Sequence, residues 1–278
     1  MFTGRGRPVL QEMFTGRGRP VLQGMALQGM PGMADAAEPP LTRADWLAIA
    51  AALAFPTLAT WAYFIALAGS PAMNAAYALT KLLQFSFPLV WVVLWQRRRV
   101  RLTAPAPAGV GIGLALGLAV LAGMLGLYYG FLKASPAMAR TPAQAAEKLT
   151  EFGIDAPLKF FAFAAFLTVL HSLMEEYYWR WFVFGQLSRG ASFGLAATVS
   201  SLGFMAHHVL VIGEYFPARG VYVAFFSLCV AVGGFLWAWL YRRTGSLYGP
   251  WASHLVVDAG LMWLGYDLWQ TAARSVAS

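Results

Sequence analysis

The residues able to do chemistry in this chain are few and crowded together. It has four histidines, His171, His207, His208 and His254, and each falls in a stretch otherwise almost free of charge. Glu175, Glu176, Arg180 and Asp258 share those stretches. Glu176 and Arg180 are four residues apart, so on a helix they stack one turn above the other and neutralise each other. Glu175 is turned about 100° from that pair and keeps a free carboxylate. His171 stands four residues before Glu175; Phe204 with His208, and His254 with Asp258, repeat that spacing. A carboxylate beside an imidazole can hold a water and take its proton. A second imidazole can face the negative charge that develops on an attacked carbonyl.

Depth brings these groups together. The turn near Ser188–Ser192 makes an antiparallel hairpin in which Glu175 is 13 residues before Ser188 and His208 is 16 after Ser192. At about 1.5 Å per residue both lie roughly 20–24 Å from the turn. They are expected to meet, with His207 turned about 100° away. Asp258, 12 residues after Ser246, has a comparable depth. One buried polar pair would read as glue between helices. Two adjacent carboxylates, an arginine and histidines from three helices point to a catalytic site.

The elements that must position them are membrane helices. Of 278 residues, 59% are hydrophobic and 12% charged, against roughly 25% charged in soluble domains. Only Lys81 is charged between Trp46 and Trp95, and nothing is charged from Leu102 to Leu132 or from Gly220 to Tyr241. Such runs span a bilayer as helices, because lipid cannot satisfy an exposed backbone. The expected fold is an all-α, polytopic transmembrane helix bundle of about seven spans, with an eighth left open. The spans run approximately 46–67, 75–95, 108–132, 158–187, 193–212, 221–241 and 247–266. The first three form an N-terminal group (46–132), residues 158–266 a catalytic membrane domain, and 267–278 a C-terminal tail. Thr141-Pro142, in the polar stretch between the third and fourth spans, reads as a helix start. Gly113 and Gly117 have the small-x-x-x-small spacing of close helix packing.

Residues 1–45 differ in kind. Residues 1–12 recur as 13–24 with 11 of 12 positions identical, rich in Gly, Pro and Arg, and the expectation is a basic disordered arm with no cleavable signal peptide. In an N-in arrangement the inner loops hold eight cations (Arg97, Arg98, Arg99, Arg101, Arg180, Arg189, Arg242, Arg243) and the outer loops four (Lys133, Arg140, Lys148, Arg219). The positive-inside rule then favours a cytoplasmic N-terminus in the plasma (inner) membrane. Because the arginines cluster between spans, the net charge of +8 implies topology and no nucleic-acid partner. The single cysteine, Cys229, excludes an intrachain disulfide and is read as packing.

The three patterns in order, E-E-x-x-x-R (Glu175, Glu176, Arg180), F-x-x-x-H (Phe204, His208) and H-x-x-x-D (His254, Asp258), resemble the CAAX protease and bacteriocin-processing (CPBP) family. That family comprises the type II CAAX prenyl endopeptidases and their bacterial relatives, also called abortive-infection proteins. The resemblance covers roughly residues 158–266 and implies a glutamate-type intramembrane endopeptidase acting on a membrane protein or peptide in the bilayer. It implies that Glu175 and His208 activate water, that His254 and residue 258 face the oxyanion, and that Glu176, Arg180 and Phe204 support them. No cofactor is required on this reading. One departure matters: residue 258 is Asp where the prenyl proteases have Asn, and an ionised Asp cannot donate to an oxyanion.

Three rivals compete. Zinc on Glu175, His208, His254 and Asp258 would make a metalloprotease, although no H-E-x-x-H helix is present. Gly190–Gly194 matches G-x-S-x-G, but a membrane helix precedes Ser192 where a nucleophile elbow needs a strand, so Ser192 is read as a helix cap. Buried Glu, Asp and His also build proton relays, which would make a non-catalytic proton-coupled transporter or immunity-type membrane protein.

Overall fold

The computed structural model describes residues 39–100, 103–216 and 220–277. The arm at 1–38, Arg101 and Arg219 lie outside the described residues, as do the expectations that rest on them. What is described is helical, with no strand among the described residues. Among the described residues six helices are long and apolar enough to cross a membrane: α1 (Arg43–Ala66), α2 (Met73–Trp95), α3 (Pro107–Leu132), α5 (Pro157–Leu187), α6 (Phe193–Tyr215) and α7 (Gly220–Thr244). The short α4 (Thr141–Glu151) links α3 to α5, and α8 (Tyr248–Ala277) closes the chain. Leu82, Leu94, Phe131, Leu158 and Val221 are exposed while Glu175, Glu176 and Arg180 in the middle of α5 are buried. That is the distribution of a bundle solvated by lipid. This is an integral membrane protein.

The seventh expected span is α8. His254, Asp258 and Asp267 dilute its apolarity, so it falls short of the other six. It also runs on as helix to Ala277, which removes the expected C-terminal tail beginning at 267. Cys229 is exposed on α7 and packs no core.

Helix starts follow local chemistry. Thr42 and Asp45 form a reciprocal capping box, with the Asp45 amide donating to Thr42 Oγ1 (3.2 Å) and the Thr42 amide to Asp45 Oδ2 (2.9 Å). Asp45 Oδ1 also accepts from Trp91 Nε1 and Gln96 Nε2 at 3.2 and 2.7 Å, fastening the start of α1 to the end of α2. Ser192 caps α6 by accepting from the Leu195 amide. Thr141 opens α4 with Pro142 behind it, but the cap position is Arg140. The Thr141 hydroxyl donates instead to the Tyr215 carbonyl, 3.1 Å away at the end of α6.

Two features decide where the chemistry lands. The first is glycine. A Cβ on Gly113 would run into the Gly249 carbonyl, and one on Gly117 would meet the Ser253 carbonyl at 2.8 Å. Backbone-to-backbone approach of α3 and α8 is therefore possible only without side chains there, and it seats Ser253 and its neighbour His254. The second is α5, whose middle is not regular. Residues Phe166–His171 and Tyr177–Phe184 are π-helical, and one ordinary turn, Ser172–Glu176, lies between them. Each widened turn accommodates an extra residue and rotates the next part of the helix about its axis.

The glycine seam makes a paired prediction. Gly113→Ala should destabilise the detergent-solubilised protein by about 1–3 kcal/mol, the usual cost of overpacking. Gly123→Ala, where an added Cβ meets nothing within 4 Å, should be neutral or gain up to about 1 kcal/mol in helix propensity. Thermal unfolding of both variants checks this, and equal melting temperatures would contradict the seam.

Candidate active site

The described structure brings Glu175, Glu176, Arg180, His254 and Asp258 into one cluster and adds His171 and His207 to it. Glu175 and Glu176 lie on the regular turn between the two π-helical stretches of α5 and are 3% and 0% exposed. Ionised groups so buried are tolerated only when paired.

Glu176 is shared by two partners. Its Oε2 lies 3.1 Å from Arg180 Nε, and its Oε1 accepts from His254 Nδ1 at 2.8 Å. The Arg180 guanidinium lies over the rings of Phe204 (4.7 Å) and Trp237 (4.9 Å), which meet edge to face beside it. Two aromatic faces thus cover a cation that is 1% exposed. Trp237 also stacks on the His254 ring at 4.2 Å and 19°. One α7 tryptophan therefore supports both partners of Glu176.

Glu175 faces imidazoles from three helices. His171 Nε2 on α5 is 3.3 Å away, His207 Nε2 on α6 3.5 Å, and His254 Nε2 on α8 3.7 Å. Asp258 Oδ1 lies 3.5 Å from the same His254 nitrogen, beyond a good hydrogen bond. With Nδ1 committed to Glu176, the tautomer of His254 is governed by Glu176, and Asp258 is left facing the Nε2 side.

The histidine pair on α6 corrects the expected register. His207, not His208, reaches Glu175. His208 Nδ1 instead lies 2.9 Å from the Phe204 carbonyl, and its ring is 4.1 Å from that of His207. The expectation treated α5 as a straight helix from Glu175 to the hairpin turn. The π-helical stretch Tyr177–Phe184 lies between them and changes both the rotation and the rise, so the facing residue moves by one.

Neighbours hold this cluster in place. Tyr178 Oη donates to the Ala52 carbonyl of α1 (2.8 Å), and Ser200 Oγ of α6 to the Trp179 carbonyl (3.1 Å). Trp251 Nε1 donates to the carbonyl of Val169, inside the first π-helical stretch (3.1 Å). Tyr178, Trp179 and Phe182 are fully buried. Trp179 stacks parallel to His207 at 5.9 Å. Sequence reasoning missed Trp237, which has no signal in the spacing, and the Glu176–His254 contact, which joins helices 78 residues apart.

No three His, Cys, Asp or Glu side chains among the described residues are grouped so as to hold a metal ion.

Residues 157–260, spanning all of these groups, match the family model described as type II CAAX prenyl endopeptidase Rce1-like. This segment resembles that family. The match agrees with the resemblance carried by the three patterns, and the family is one of membrane proteases. No curated protein and no solved structure matches the chain.

Removing one member of the buried pair should cost more than removing a surface charge. Arg180→Ala leaves Glu176 uncompensated and should destabilise the protein by about 3–5 kcal/mol, seen as a large drop in melting temperature or in folded yield. A shift smaller than that of Arg242→Ala at the helix end would show that Glu176 does not need its partner.

Proposed function

We propose that this protein is a glutamate-type intramembrane endopeptidase that cleaves a membrane-associated protein or peptide near its C-terminus, a prenylated CAAX-type tail being the substrate class the family suggests. The observation that carries this reading is Glu175, a buried carboxylate surrounded by His171, His207 and His254 within 3.7 Å, inside an Rce1-like segment.

The chemistry follows from the donors. Nδ1–H of His208 donates to the Phe204 carbonyl, which leaves Nε2 as an acceptor able to hold a water. Glu175 takes the proton of that water as it attacks the scissile carbonyl, and His207 and His171 keep the carboxylate oriented. The oxyanion of the tetrahedral intermediate forms toward His254 Nε2 and Asp258. His254 donates there when both ring nitrogens carry protons, a state Glu176 favours by accepting from Nδ1, and Asp258 donates in its acid form. Such donors are worth most where water is scarce. Collapse returns the proton from Glu175 to the departing amine. No metal takes part in this scheme, so turnover should survive exhaustive treatment with phenanthroline. The excess of arginines between the spans on one side supports a cytoplasmic N-terminus in the plasma membrane.

In liposomes, with a prenylated peptide as substrate, Glu175→Gln should lower turnover by about 10²–10⁴-fold, the range of a general base, with an unchanged melting temperature. Near-normal turnover would remove Glu175 as the base. Absence of any new peptide terminus with the wild-type protein would favour a non-catalytic membrane protein.

Asp258 and Glu176 should separate cleanly. Because Glu176 governs the His254 tautomer, Asp258→Asn exchanges one neutral donor for another and should keep turnover within about tenfold. Glu176→Gln frees Nδ1 and should cost on the order of 10²–10³-fold, as loss of one oxyanion donor does. The reverse ranking would place tautomer control on Asp258.

A further inference from the structure

Between α2 and α5 lies a cavity of about 510 Å³ to which the proposed mechanism gives no role. Tyr77, Lys81 and Phe85 line it from α2, and Phe166, His171 and Met174 from α5. Leu82, Ser86 and Leu170 complete its walls, and no carboxylate lines it. Lys81 is the only charged residue between Trp46 and Trp95. A lone ammonium in a membrane helix is costly and marks a functional position by default.

Lys81 does not reach for the membrane surface as a snorkelling lysine would. Its Nζ lies 6.0 Å from the Tyr77 ring centre and 5.6 Å from that of Phe85, and it donates to Gln84 Oε1 at 3.3 Å. No carboxylate among the described residues pairs with it. Gln84 is 1% exposed, and its Nε2 is buried without a hydrogen-bond partner. One turn of α2 therefore carries a cation and an unspent amide donor, and Glu175, across His171 and not lining the cavity, acts on the ammonium at a distance without pairing with it.

The cavity ends at the reaction centre. The Phe85 ring lies 6.0 Å from that of His171, and His171 Nε2 lies 3.3 Å from Glu175. These contacts bound the distance from the Lys81 ammonium to the Glu175 carboxylate at about 16 Å, a span that about five extended residues cover.

We infer that Lys81 is a specificity-determining residue for the proposed protease activity, on which this inference rests: its ammonium receives the free α-carboxylate of the substrate in the α2–α5 cavity and so limits cleavage to about the last five residues. A carboxylate, with one negative charge, is matched by one ammonium and a neighbouring amide donor. A lipid phosphate, with more oxygens and charge, would ask for a fork of donors of the arginine kind.

The test compares a peptide bearing a prenylated cysteine and three further apolar residues as its free acid and as its C-terminal amide, with full-length protein in phosphatidylcholine liposomes. Wild-type kcat/KM should favour the acid by about 10- to 100-fold, the worth of one charge-assisted hydrogen bond. Lys81→Met should bring the ratio near one, and Lys81→Arg should retain part of it. A second readout needs no turnover: photocrosslinking of both peptides to the inactive Glu175→Gln protein, with and without Lys81→Met. If wild type cleaves neither peptide but Glu175→Gln captures the acid alone, and only with Lys81 present, the carboxylate site stands and the protease reading fails. Equal capture of acid and amide, or an acid preference that survives Lys81→Met, overturns the inference. Loss of the preference when phosphatidic acid is added would assign Lys81 to lipid phosphate and overturn it as well.

Discussion

The rest of the site depends on one carboxylate, Glu176, serving two partners in a place without water. Its oxygens are divided between Arg180 on its own helix and His254 on α8. Taking charges out of water costs several kcal/mol per ion, and Glu176 Oε2 and the Arg180 nitrogens, though within ion-pair distance, make no hydrogen bond, so the offset must come from close opposite charge and from what surrounds the pair. That condition forces the neighbours. Arg180 needs a covering that does not compete for its charge, and the faces of Phe204 and Trp237 provide it. His254 must arrive at hydrogen-bond distance, so α8 must approach closely at that depth. Glu175 is then left as the carboxylate not consumed by structure.

The approach of α8 shows how packing serves electrostatics in lipid. Helices in a bilayer gain little from apolar burial against each other, since the solvent is equally apolar, and association rests on close fit and polar contacts. Gly113 and Gly117 let α3 lie against the backbone of Gly249 and Ser253. Ser253 is adjacent to His254, so one of the two close backbone contacts and the decisive polar contact are one residue apart. The second end of α8 is fastened differently, with Asp267 accepting from Lys133 at 2.8 Å and from Tyr128 at 2.7 Å. A helix too polar to be held by lipid is thus held by its neighbours along its length.

Much of this was legible in the residues alone. The bundle, the family of the segment holding the site, and the Gly113/Gly117 seam follow from hydropathy runs and short spacings, because a regular helix maps sequence distance directly onto faces. The pairs at i,i+4 in α5 and α8 are of the same kind. Contacts between helices were legible only in outline. Depth counting placed α6 against α5 at the right level, yet it selected His208 where His207 meets the carboxylate. Trp237 was invisible, since nothing in an apolar run distinguishes a tryptophan that stacks on a histidine from one that faces lipid. Lys81 was conspicuous as a single charge, but its place beside His171 depends on how α2 leans on α5.

The missed register has a physical cause that bears on function. A π-helical turn replaces the i→i+4 ladder with a wider one, weakens local hydrogen bonding and persists where tertiary contacts compensate. Here the compensation is visible: Trp251 of α8 donates to the Val169 carbonyl in the first widened stretch, and Ser200 of α6 to the Trp179 carbonyl in the second. The Glu175–Glu176 turn is therefore gripped on both sides by the helices that supply its histidines. Adjacent carboxylates on a straight helix diverge by about 100°, and a regular α5 would have aimed only one of them at any given neighbour. With widened turns above and below, both reach the same imidazole of His254, Glu176 at Nδ1 and Glu175 at Nε2. The irregularity that defeats periodic reasoning is what lets one histidine bridge the structural carboxylate and the available one.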